Sequence, residues 1–151
     1  MIIGAPFGTK RDISGINQGE AFHYVLSPHT SEWLLISEMG QYFNLDTPSG
    51  EFGYSVKIKD DYALVGSPFE SSFSSDSIPV EIPKQGKVYL FKKDEFGYFR
   101  NKKTYQPDSI VGDSEKNFGK QINLFGEEIA IGMPFSDNDD NDIVNLYKRT
   151  E

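Results

Sequence analysis

Asp137, Asp139 and Asn141 stand at alternate positions in the most acidic run of the chain, Asp137-Asn138-Asp139-Asp140-Asn141-Asp142. Oxygen ligands at that spacing can converge on one hard cation, and calcium is the chemistry they suggest. The rest of a calcium loop is missing. The sixth position is Asp142 where glycine is needed, and the twelfth is Lys148 where glutamate is needed. A solvated turn between two strands is the competing reading, and no other cofactor is expected.

The remaining reactive side chains form no catalytic set. His23 and His29 are the only histidines. The first falls in an expected strand and the second in the turn Ser27-Pro28-His29-Thr30, without a carboxylate pair nearby for a metal site. Ser55, Ser67 and the serines at 71–77 show no nucleophile elbow. Cysteine is absent, which removes disulfides, thiolate metal sites and a thiol nucleophile. Carboxylates are plentiful, and two at the right separation can cleave a glycosidic bond. A carbohydrate-active hydrolase is therefore a minor reading; its mark would be two close carboxylates in a cleft, one with a raised pKa. Gly4-Ala5-Pro6-Phe7-Gly8-Thr9-Lys10 lacks the glycine spacing of a phosphate loop. The chain reads as a protein without catalysis.

The formal net charge is −8. Phosphate backbones need a basic face, and Lys10-Arg11 and Lys102-Lys103 are too sparse, so nucleic acid is not an expected partner. No run reaches about 18 apolar residues, so membrane insertion is not expected. The N-terminus shows no basic stretch followed by an apolar run, hence no signal peptide. Met1-Ile2-Ile3 reads as a strand already under way.

The elements that would position any site come from a repeat. Ile3-Gly4-Ala5-Pro6, Val65-Gly66-Ser67-Pro68 and Ile131-Gly132-Met133-Pro134 share one phrase. Phe52-Gly53 precedes Pro68 by 16 residues, and Phe118-Gly119 precedes Pro134 by the same 16. Such recurrence is the signature of a repeat architecture. From Phe52 to Lys59 the apolar residues alternate with glycine and polar ones, as in a strand with one buried face. Asp60-Asp61 supplies a turn, and Tyr62-Ala63-Leu64-Val65 returns as an apolar inner strand until Pro68 stops the ladder. The third unit repeats this with a turn at Phe125-Gly126-Glu127. Gly86 to Lys93 gives a third strand, matched by Gly19 to Val25 and Ile143 to Arg149. Tyr98 to Tyr105 gives a more polar, edge-like fourth strand, matched by Trp33 to Ile36.

The fold class is therefore all-β: four-stranded antiparallel meanders stacked as propeller blades. One propeller segment fills 1–151, with a partial blade at 1–49, a full blade at 50–115 and a partial blade at 116–151. Inserts at 69–85 and 135–142 become rim loops, either decoration or a binding surface. Phe52, Phe118, Gly53, Gly119, Gly4, Gly66, Gly132, Pro6, Pro68 and Pro134 read as architecture: rings between blades, glycines for close backbone approach, prolines closing the inner hairpin. Trp33 is expected in the core, with an exposed anchor for a partner as the alternative.

Phe52-Gly53-Tyr54-Ser55-Val56 with Leu64-Val65-Gly66-Ser67-Pro68 resembles the FG-GAP repeat, and Phe118-Gly119-Lys120-Gln121-Ile122 with Ile131-Gly132-Met133-Pro134 resembles a second copy. Gly86-Lys87-Val88-Tyr89-Leu90-Phe91 is similar to the strand that follows in that family. The resemblance, to the repeat of integrin alpha heads, implies a propeller that binds other proteins without chemistry of its own. It also implies an extracellular or cell-surface setting. Members that hold calcium do so in a long acidic hairpin turn; the turns at 59–62 and 125–128 are too short to carry this over. Two to three blades do not close the usual ring. A longer protein, several copies of the chain, or a partner protein would supply the rest. One copy's C-terminal strands could also be completed by a neighbour's N-terminal strand.

Overall fold

The computed structural model describes residues 1–8, 19–40, 50–73, 81–82, 84–107, 116–134 and 143–149. Among them there is no helix. The strands are β1 (Ile2–Ala5), β2 (Glu20–Leu26), β3 (Trp33–Met39), β4 (Ser55–Lys59), β5 (Tyr62–Ser67), β6 (Ser72–Phe73), β7 (Glu81–Ile82), β8 (Lys87–Lys93), β9 (Phe99–Tyr105), β10 (Gln121–Phe125), β11 (Glu128–Met133) and β12 (Ile143–Lys148). Ten of them form a first sheet β1-β2-β3, a central sheet β4-β5-β8-β9 and a third sheet β10-β11-β12, all antiparallel, while β6 and β7 pair as a separate ladder. β1 is hydrogen-bonded to β2 within its own sheet, so it is not a free strand.

Tight turns set the registers. Lys59 pairs with Tyr62 and Phe125 with Glu128, leaving two residues in each turn. Asp60 and Gly126, the first of each pair, take φ of 54° and 58°. Asp and Gly tolerate that left-handed region better than other residues do.

The central sheet carries two cores, one on each face. Side chains alternate along a strand, so Leu64, Val88 and Leu90 face one way and Ala63, Val65, Tyr89 and Phe91 the other. The first set packs with Phe118, Ile129 and Ile131 of the third sheet. The second packs with Ala21 and Met39 of the first sheet, together with Phe52. β5 is buried along its whole length as a result. Such a strand reads as a continuous apolar run rather than an alternation, as Tyr62 to Val65 does.

Two expectations change. The ladder begins at Ser55, and Phe52-Gly53-Tyr54 forms the turn that leads into it. Tyr54 is consequently not in the buried alternation. It is 40% exposed and sets its ring edge-on to Phe69 at 5.9 Å. The insert at 69–85 is also more than a loop. Its described part contains the β6-β7 ladder and is tied down by Glu70, a buried carboxylate.

Candidate interaction surfaces

The repeated residues meet where the sheets meet. A methyl group on Gly4 would fall on the carbonyl of Gly53, and one on Gly66 would fall on the carbonyl of Gly119, far inside contact distance. Gly53 and Gly119 both take φ of 91°. Gly19 and Gly86, at φ of 80° and 84°, lie equally close to the backbone of Phe52 and Phe118. At each contact three glycines and a phenylalanine thus let one sheet lie backbone-to-backbone on the next. The contact is sealed by hydrogen bonds: Phe118 N–H donates to Gln85 O at 3.0 Å, and Ser55 Oγ donates to Gly119 O at 2.6 Å. Phe52 and Phe118 are fully buried there. Pro6, Pro68 and Pro134 each follow the last residue of β1, β5 and β11.

Gly132 has no such neighbour among the described residues. Of these, a methyl group there would meet Gln121 of its own sheet, at an ordinary 3.4 Å. The register places Val144 and Leu146 of β12 where Val88 and Leu90 stand in β8, because Gly132 pairs with Val144 as Gly66 pairs with Val88. Val88 and Leu90 are 0% and 1% exposed, whereas Val144 and Leu146 are 63% and 77% exposed. The outer face of the third sheet therefore repeats the apolar pattern that the central sheet buries. Over Ala130 and Gly132 it holds a recess of about 180 Å³, bounded by Gln121, Asn123 and Val144. At the other end, Ile3 pairs with Phe22 on the face of the first sheet turned away from the central one. Ile3 is exposed there.

A third apolar surface lies at the tip of the β2-β3 hairpin, where Val25, Leu26, Trp33, Leu34 and Leu35 are all exposed. Trp33 is 52% exposed, so it is not a core residue; it pairs with Leu26 at the tip, as Phe99 pairs with Lys93 in the central sheet. The matching tip of β8-β9 mixes Lys92, Lys93, Asp94, Glu95 and Arg100 with exposed Phe96 and Tyr98. There Asp94 accepts hydrogen bonds from the backbone of Phe96 and Tyr98 and from Arg100 Nε.

Between β3 and β9 the first and central sheets splay into a cleft of about 210 Å³, floored by Met39, Phe52, Phe91 and Phe99. Among the described residues lining it, Glu38 is the one carboxylate. The buried acid, Glu70, is engaged elsewhere. It accepts hydrogen bonds from Tyr89 Oη at 2.7 and 2.8 Å and from Lys87 Nζ at 2.7 Å. Sequence reading missed this cluster. Its one signal is the two-residue spacing of Lys87 and Tyr89, which sets both on one face of β8.

The two histidines are far apart in role. His29 sits in a turn closed by Ser27, whose Oγ accepts from the backbone of His29 and Thr30. His23 is buried in β2, edge-on to Phe99 at 4.9 Å. Burial, the N-terminal ammonium group and Lys93 hold its pKa below the ordinary 6.5. As pH falls through 6.5 the unfolded chain takes up this proton before the folded chain does. Stability is therefore full above that pH and declines below it, until folded His23 also protonates. Urea midpoints between about pH 7 and about pH 5 should show this decline. His23→Leu, the residue at the matching place in β8, should flatten it.

Asp137, Asp139, Asn141 and Asp142 lie outside the described residues. Among the described residues no group of three His, Asp or Glu side chains is placed to hold a metal ion. No described helix is long and apolar enough to cross a membrane. No family model matches the chain, and no curated protein matches it.

Proposed function

We propose that this chain is a non-catalytic protein-interaction module built from FG-GAP-like propeller blades, each of the three sheets being one blade. The observation that carries the reading is the exposure of Val144 and Leu146 at positions whose equivalents, Val88 and Leu90, are buried. A repeat sheet cannot hide its apolar face alone and relies on a neighbour to cover it. The equivalent docking of Gly4 on Gly53 and of Gly66 on Gly119 supports the blade assignment, since one geometry is used twice. The same exposed faces would suit a structural subunit packed into a larger assembly, which is interaction of a more permanent kind. The large apolar tip around Trp33 adds a further contact surface of the sort that marks binding sites.

The test is a matched pair of substitutions. Leu90→Ala should cost about 2–5 kcal/mol of folding stability. Leu146→Ala should change it by less than about 0.5 kcal/mol in urea unfolding at low protein concentration, where assembly contributes least. Equal losses would mean that Leu146 serves this chain's own core, and the reading would fail.

A further inference from the structure

We infer that the outer face of the third sheet is a seat for the first sheet of a second copy of this chain, so that copies associate head to tail. The inference rests on the blade reading above and names its partner. Both halves of one contact are present on the chain, pointing in opposite directions. Ala130, Gly132, Val144 and Leu146 continue the pattern with which the central sheet receives the third. Ile3 and Phe22 stand where Val65 and Tyr89 stand in the central sheet, because Gly4 pairs with Ala21 as Gly66 pairs with Val88. Val65 and Tyr89 are the residues with which the central sheet covers the first. A head-to-tail contact therefore repeats the side-chain part of an interface that the chain already builds twice.

The fit is also steric. Ala130 and Gly132 leave the recess of about 180 Å³ free of large side chains, and Phe22 or Ile3 of the incoming copy supplies an apolar group to fill it. Among the described residues nothing in the packing requires glycine at 132, where a methyl group would make an ordinary contact with Gln121. The open recess is the feature left to explain it. Each copy carries a net charge of −8, so the copies repel, and added salt should strengthen the association.

A contact between two different patches has a diagnostic that a two-fold contact lacks. Ile3→Glu spoils the head and leaves the tail; Leu146→Lys spoils the tail and leaves the head. Both side chains are exposed, so both variants should keep the parent's unfolding midpoint. In sedimentation, the parent chain should gain mass with concentration, and each variant alone should remain a single copy. Their mixture should give a particle of about twice the chain mass that grows no further. Gly132→Leu, which fills the recess, should behave as Leu146→Lys does. A parent chain that unfolds cooperatively yet stays single at every concentration overturns the inference. So does a mixture that stays monomeric, or Ile3→Glu that still associates alone. If any of these occurs while Leu90→Ala and Leu146→Ala differ as expected, the interaction reading stands with another partner; if that pair also fails to differ, both fall.

Discussion

Gly66→Ala is expected to destabilise the fold by at least about 3 kcal/mol, enough to consume much of the stability of a domain this size. The added methyl would strike the carbonyl of Gly119 and the hydroxyl of Ser55 together. Neither can move cheaply, because the first is backbone and the second is hydrogen-bonded to that same carbonyl at 2.6 Å. Gly119→Ala should be comparably harmful for a second reason. Its φ of 91° disfavours any side chain, and the methyl would lie 2.6 Å from Val88 Cγ2. Gly132→Ala is the control, at the same position of the next sheet, and should change stability by less than about 0.5 kcal/mol. Urea unfolding of the three variants reads the result. A Gly132→Ala loss as large as that of Gly66→Ala would show that glycine is needed for the strand itself and not for the contact between sheets.

Glu70→Ala should cost about 3–5 kcal/mol, the second large effect. Its carboxylate is 5% exposed and its partner Lys87 is 21% exposed, so this is a partly buried ion pair. Truncation strands the Lys87 ammonium group and leaves the Tyr89 hydroxyl without either of the oxygens it now reaches. It also frees the start of the insert, because Gly86 N–H donates to the Glu70 carbonyl at 2.9 Å and depends on that residue's placement. Tyr89→Phe removes one hydroxyl and should cost about 1 kcal/mol. A Glu70→Ala loss no larger than that of Tyr89→Phe would refute the anchoring role. A double-mutant cycle between the two would give their coupling directly.

Much of the all-β architecture was legible in the sequence. The apolar run Tyr62 to Val65 and the residues around Asp60 and Gly126 announce strands and tight turns by local chemistry alone. The strand start at Phe52 was misread, because alternation continues through a turn whose geometry depends on the neighbouring sheet. Trp33 was misread for a related reason: it stands where buried Phe99 stands in the central sheet, and whether a sheet packs over that position is something no local pattern encodes. The Glu70 cluster joins an insert to a strand 17 residues on, through hydrogen bonds that periodicity does not register. Val144 and Leu146 look like core residues in sequence, and only the structure shows them exposed, with no described strand over them.

The backbone contacts between sheets also turn each hairpin into a ruler. Gly53 and Gly66 must arrive together at one end of the β4-β5 pair, the first donating its N–H to the carbonyl of the second at 3.1 Å. Side chains between them can drift through many exchanges without disturbing that meeting. A single inserted residue cannot be absorbed so easily, since it swaps the two faces of the strand and carries a glycine away from its carbonyl. In descendants of this sequence, the count of residues should thus outlast their identity.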